Sequence, residues 1–136
     1  MRIFLDANIL FSAAKSDGAI KRLLTLLVEA GHECAVDTYV IEEAARNLAA
    51  KAPVRVAVLD ELLSQFHIAG FQRSEQNFDP GVSLPEKDLP VFAAAVRSAS
   101  SVLLTGDRTH FGSLFGRTFH GVTIHSPRSL AEVLFK

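Results

Sequence analysis

Two short apolar runs constrain this chain more than any other feature. "RIFLD" (2–6) and "SVLLTGD" (101–107) each contain an uninterrupted hydrophobic stretch followed by an aspartate. A strand with one wet face alternates polar and apolar residues. A run without alternation reads as a strand buried on both faces, which is the habit of parallel sheets. The intervening sequence supplies the covering helices. Residues 18–30 place Ile20, Leu23, Leu24, Leu27 and Val28 at helical spacing, and Gly31 is a natural stop. "ECAVD" (33–37) reads as a second strand. Thr38 can cap a helix over about 38–51, with Val40, Ile41, Ala44, Ala45 and Leu48 as its apolar stripe. Pro53 opens a helix to about Gln65, and "FHIAGF" (66–71) can be a third strand. A polar loop (72–85), a helix (about 87–99), a strand (102–105), a strand (121–125) and a helix from Pro127 complete the alternation. The pattern predicts an α/β fold with right-handed crossovers.

The chain has 136 residues, which suits one domain spanning 1–136, and its 49% hydrophobic content opposes disorder. No apolar run approaches the roughly 20 residues of a membrane span. "MRIFLDANIL" lacks the organisation of a signal peptide. The single Cys34 excludes an internal disulfide, so a cytoplasmic protein is expected. Net charge is −1, so no global basic field advertises nucleic acid. The distribution is uneven, however. Residues 1–45 are acid-rich, whereas Arg97, Arg108, Arg117 and Arg128 face only Asp107 between 97 and 128. Acids at a centre and cations at a rim are one reading, and ordinary surface scatter is the other.

In a parallel α/β sheet, ligands bind beyond the carboxyl ends of the strands, where strand order reverses. Asp6 and Asp107 both end strands on that side. Each can also be explained as a turn or helix cap, and Gly106 would let the chain bend before Asp107. Asp88 falls on the same helical face as the buried Phe92, Ala95, Val96 and Ala99, although Pro90 marks a first turn where capping is also possible. A carboxylate facing inward needs a partner. Glu42 and Glu43 flank the stripe of the second long helix at similar angles, and periodicity does not choose between them. Acids gathered from separate elements repel unless cations neutralise them. Mg²⁺ or Mn²⁺ with a phosphate substrate is the chemistry such a cluster suits. Asn8 can cap or hold water near the cation, Thr105 can support a neighbouring acid, and His110 beside Phe111 can touch substrate or anchor a loop. The five His and one Cys show no zinc spacing, and there is no Gly-rich phosphate loop.

"FLDANILFSA", "VIEEAARNL", "EKDLPVFAAAV" and "LLTGDRTHFG" occur in this order and resemble the PIN-domain ribonucleases over nearly the whole chain. The resemblance implies a three-layer α/β/α fold with a five-stranded parallel sheet of order 3-2-1-4-5. It implies metal ligation and catalysis by Asp6, Asp88, Asp107 and, as the second of the paired glutamates, Glu43. Many members carry another acid shortly after the last of these. Here Thr109 and His110 occupy that stretch, which leaves a second metal site incomplete. Many small members resemble VapC-like toxins of toxin–antitoxin pairs, which implies an RNA substrate and a cognate antitoxin protein. Asn8, Thr105, Arg108 and His110 are expected at the substrate, and the apolar helices lead us to expect a homodimer. The rival readings are a catalytically silent module on the same fold and a phosphate-handling domain. A receiver wants an acid pair after its first strand, and a haloacid-type phosphatase wants Asp-x-Asp where this chain has Asp6 and Asn8.

Overall fold

The computed structural model describes residues 1–70, 81 and 84–135. Strand β1 (Arg2–Leu5) lies in the middle of the sheet, and its Ile3, Phe4 and Leu5 have no exposed surface. Successive strand side chains point to opposite faces, so burial of all three means that both faces are covered. This is the three-layer arrangement. Helix α1 (Ala7–Lys15) follows directly and packs against α2 (Ala19–Glu29), α3 (Thr38–Lys51) and α4 (Val56–Leu63). Between them run β2 (Glu33–Asp37) and, after α4, the short β3 (His67–Ala69). The polar loop expected over 72–85 falls largely outside the described residues.

A 3-10 turn (Glu86–Asp88) leads into α5 (Leu89–Arg97), and β4 (Val102–Leu104) follows. The chain then makes the one-turn helix α6 (Arg108–Phe111), a two-residue strand β5 (Thr118–Phe119), β6 (Val122–His125) and α7 (Pro127–Leu134). The strand order is β3-β2-β1-β4-β6-β5. The first five are parallel in the order expected from the sequence, and β5 adds an antiparallel edge through a tight hairpin with β6. Two residues are too few to carry a period, which is why β5 is silent in the sequence.

Two local expectations change. Asp37, not Thr38, caps α3: its backbone is still extended, and its carboxylate accepts from Val40 N at 3.0 Å. Thr38 is already helical. Gly106 is not needed for a bend, because its backbone is not left-handed. Its value is space. A Cβ there would stand 3.3 Å from Asn8 Oδ1, the oxygen that accepts from Gly106 N at 2.8 Å.

Cys34 is buried in the core, and burial pushes its thiol up to about 12. No helix of the described residues is long and apolar enough to cross a membrane.

Candidate active site

The chain leaves β1 toward β2 and β3 on one side and later fills β4 and β6 on the other. β1 and β4 are therefore the strands between which order reverses. Their register pairs Leu5 with Leu104, and Asp6 N donates to Leu104 O at 3.0 Å. Asp6 and Thr105 thus emerge side by side.

Asp6 is buried and held on every side. One carboxylate oxygen, Oδ1, accepts from Ala7 N at 2.7 Å and caps α1. The other, Oδ2, accepts from Thr105 Oγ1 at 2.8 Å and from Asn8 Nδ2 at 3.2 Å. Capping and site geometry are therefore not alternatives here, because one oxygen does each. Burial raises the Asp6 pKa. The bonds from Thr105 and Ala7 oppose the rise, and the charges of Asp88 and Glu43 add to it. The same acids, after burial, push up the phenol of Tyr39. Three carboxylates from β1, α3 and the turn before α5 thus share one field.

Asp88 does not cap α5 with its side chain, although it ends the turn that starts the helix. It is buried against the cluster instead. Asp107 caps α6, with Oδ1 accepting from His110 N at 3.1 Å, while its own N–H donates to Thr105 Oγ1 at 3.1 Å. Its Oδ2 lies 2.8 Å from His110 Nδ1, which is also 2.9 Å from Asp88 Oδ2. Among the described residues, Asp88, Asp107 and His110 offer ligand atoms all within 4.8 Å of one another. Asp6 and Glu43 line the same cleft but stand outside that tight group.

The cleft has a volume of about 260 Å³. Its walls include Asp6, Asn8, Glu43, Asp88 and Asp107, so the four acids expected from the sequence come together. Glu43 faces it, whereas Glu42 is exposed. A wider cleft of about 590 Å³, beside β3 and the end of α5, has no carboxylate in its walls. The donor set distinguishes the two clefts, and size does not.

The structure separates the arginines. Arg108 is exposed on α6 and does not line the cleft. Arg97 sits at the far end of α5, Arg117 lies over the Phe119 ring, and Arg128 pairs with Glu132. The cation in the cleft wall is Lys51, which sequence reasoning missed. Its ammonium and that of Lys15 lie 5.6 and 5.4 Å from the Phe11 ring. Tyr39, Asn47 and Lys51 share the wall with Glu43. The signal was their spacing, since residues four apart stack along one helix face.

The residues present fit a divalent cation. Carboxylate oxygens are hard donors, their mutual repulsion is visible in the raised Asp6, and a buried His110 nitrogen without a well-formed hydrogen bond faces two of them.

No protein-family model matches this sequence, and no curated protein does. Solved structures do match. The chain is similar to a chain of VapBC2 from Rickettsia felis, crystallised with a promoter DNA fragment, at 19% identity, covering 93% of this chain and 98% of that one with TM-score 0.68. It is similar to a chain of the DNA-bound VapBC of Salmonella typhimurium, at 13% identity, 93% and 98% coverage and TM-score 0.66. It is also similar to VapC20 of Mycobacterium tuberculosis, a Sarcin-Ricin loop cleaving toxin, at 15% identity, 86% and 98% coverage and TM-score 0.57. At these identities the likeness is one of fold. The chain has a VapC-like PIN-domain fold, with its acid-lined cleft at the carboxyl ends of β1 and β4.

Proposed function

We propose that the protein is a metal-dependent endoribonuclease and the toxin of a toxin–antitoxin pair, acting on RNA in the cytoplasm. The observation that carries this reading is the convergence of Asp6, Glu43, Asp88 and Asp107, from separate elements, on one cleft of a VapC-like fold. These four residues would hold Mg²⁺ or Mn²⁺. When bound, such a cation would supply an acidified water near neutral pH and offset the charge on a phosphodiester. The chain's own residues do the rest. Thr105 and Asn8 fix Asp6 in one orientation. Asn8 also ties α1 to the β4 end through Gly106 N, so the two strand ends stay in register. Lys51 and the Phe11 face offer the backbone and a base somewhere to rest beside the acids. In-line attack by water would expel the 3′-oxygen and leave a 5′-phosphate.

Protein partners follow from the surface. Leu26 on α2 is 48% exposed, and Val54 and Val56 at the start of α4 are exposed as well. Two of the neighbours named above are chains of VapBC assemblies. An antitoxin helix laid along this apolar surface, and a homodimer, are the interactions we assign to it.

The test is cleavage of a labelled structured RNA by the purified chain with Mn²⁺, with Mg²⁺ and with EDTA, followed by end-group analysis. Cleavage that needs the cation, disappears in Asp107→Asn and leaves 5′-phosphate ends is expected. Metal-independent cleavage, or 2′,3′-cyclic phosphate ends, would overturn the mechanism. Hydrolysis of an aryl phosphate without RNA cleavage would favour a phosphatase, and inertness together with cation binding would favour the silent module.

A further inference from the structure

His110 enters the site through a local device. Asp107 Oδ1 accepts from His110 N at 3.1 Å, and the adjacent Phe111 has no exposed surface. The backbone of His110 is therefore held by the cap on one side and the core on the other. The imidazole is turned inward, where Nδ1 is buried without a well-formed hydrogen bond. It stands 2.8 Å from Asp107 Oδ2 and 2.9 Å from Asp88 Oδ2.

We propose that His110 Nδ1 is a direct ligand of the cation, making a mixed carboxylate–imidazole site that prefers first-row transition ions such as Mn²⁺ to Mg²⁺. This rests on the metal-dependent reading above and specifies its ion. Two neighbouring ligands on an octahedral ion at about 2.1 Å stand about 3.0 Å apart. The two nitrogen–oxygen separations have that spacing. An imidazole adds little for Mg²⁺, which takes oxygen donors and keeps its waters, and adds more for transition ions. Thr109 and His110 occupy the stretch where the resembling family carries a further acid, so a nitrogen donor here changes the ion the site favours.

A rival explanation makes His110 a counter-cation bridging Asp88 and Asp107 with no part in ligation. The two differ in sign. Removing a ligand weakens Mn²⁺ binding, whereas removing a competing cation strengthens it. The experiment uses the full chain and compares wild type, His110→Ala, His110→Asn, His110→Asp and Asp88→Asn. Mn²⁺ and Mg²⁺ affinities are measured by calorimetry, and bound Mn²⁺ by pulsed electron paramagnetic resonance. The wild type should show a ¹⁴N coupling to Mn²⁺ that His110→Ala lacks. The Mn²⁺ Kd should rise about tenfold or more in His110→Ala and His110→Asn, the scale on which metal affinities respond to loss of a supporting group. The Mg²⁺ Kd should move by less than about threefold, and His110→Asp should shift preference toward Mg²⁺.

No ¹⁴N coupling, or undiminished Mn²⁺ affinity in His110→Ala while Asp88→Asn loses it, would overturn the ligand assignment and leave the nuclease reading standing. A wild type that binds neither ion would overturn both. Melting curves in EDTA identify any variant that fails to fold, and then the wild-type coupling decides alone.

Discussion

Asp107→Asn separates the charge of the cluster from its scaffolding. The carboxylate has two jobs on two oxygens: Oδ1 caps α6 through His110 N, and Oδ2 faces His110 Nδ1 at 2.8 Å. An asparagine keeps a carbonyl oxygen for the cap, and Asn and Asp are near-equal caps. The lost ionic contact involves side chains 25% and 22% exposed, so solvent screens it and less than ~1 kcal/mol is at stake. With roughly 2.1 cal/mol/K of unfolding entropy per residue, a chain of 136 residues converts 1 kcal/mol into about 3.5 °C. In EDTA the mutant should therefore melt within about 3.5 °C of wild type.

Mn²⁺ should then split the two. At a concentration 100 times Kd, ligand linkage stabilises the wild type by about 2.7 kcal/mol, which is about 9 °C. If the substitution weakens binding a hundredfold, the same concentration is worth about 0.4 kcal/mol, little more than 1 °C. A tenfold weakening leaves about 5 °C. The assay is a Mn²⁺ titration by differential scanning calorimetry, with EDTA as the reference for each protein. Equal increments in the two proteins would refute Asp107 as a ligand, and a mutant unfolded in EDTA would refute the division of labour between its oxygens.

Three further outcomes are expected. Glu43→Gln should cut RNA cleavage by tenfold or more with little change in melting temperature, while Glu42→Gln, exposed on α3, should leave both nearly unchanged; parallel cleavage and melting measurements on the two variants check this. Because burial raises the Asp6 pKa above 3.8, its charge costs folding at neutral pH, and the folded state binds the proton more tightly than the unfolded. Without metal, the melting temperature of wild type minus that of Asp6→Asn should therefore rise as pH falls from 7.5 through the raised value, and a difference flat with pH would contradict it. Lys51→Ala should weaken RNA binding and lower the slope of log affinity against log salt by about one, measured by titration with a catalytically dead partner variant as the common background.

What the sequence could show depends on whether the relevant contact is written in one element or between two. Ile3, Phe4 and Leu5 announce a doubly covered strand by residue type alone, and Asp6 and Asp107 inherit their place from the strands they end. Glu43 is different. The helical wheel leaves it level with Glu42, and only the packing of α3 on α1 turns one flank to the cleft and the other to water. The arginines misled for the opposite reason, because closeness in sequence was read as closeness in space. α5 is 9 residues long, so at about 1.5 Å per residue it carries Arg97 about 14 Å from the end where Asp88 stands. His110 lies at the limit of what a sequence can convey. Its spacing to Asp107 is an ordinary capping turn, and its meaning arises only when the turn before α5 brings Asp88 to the same nitrogen. A residue of this kind is recognised by two distances to groups from separate elements, and neither distance exists until the chain has folded.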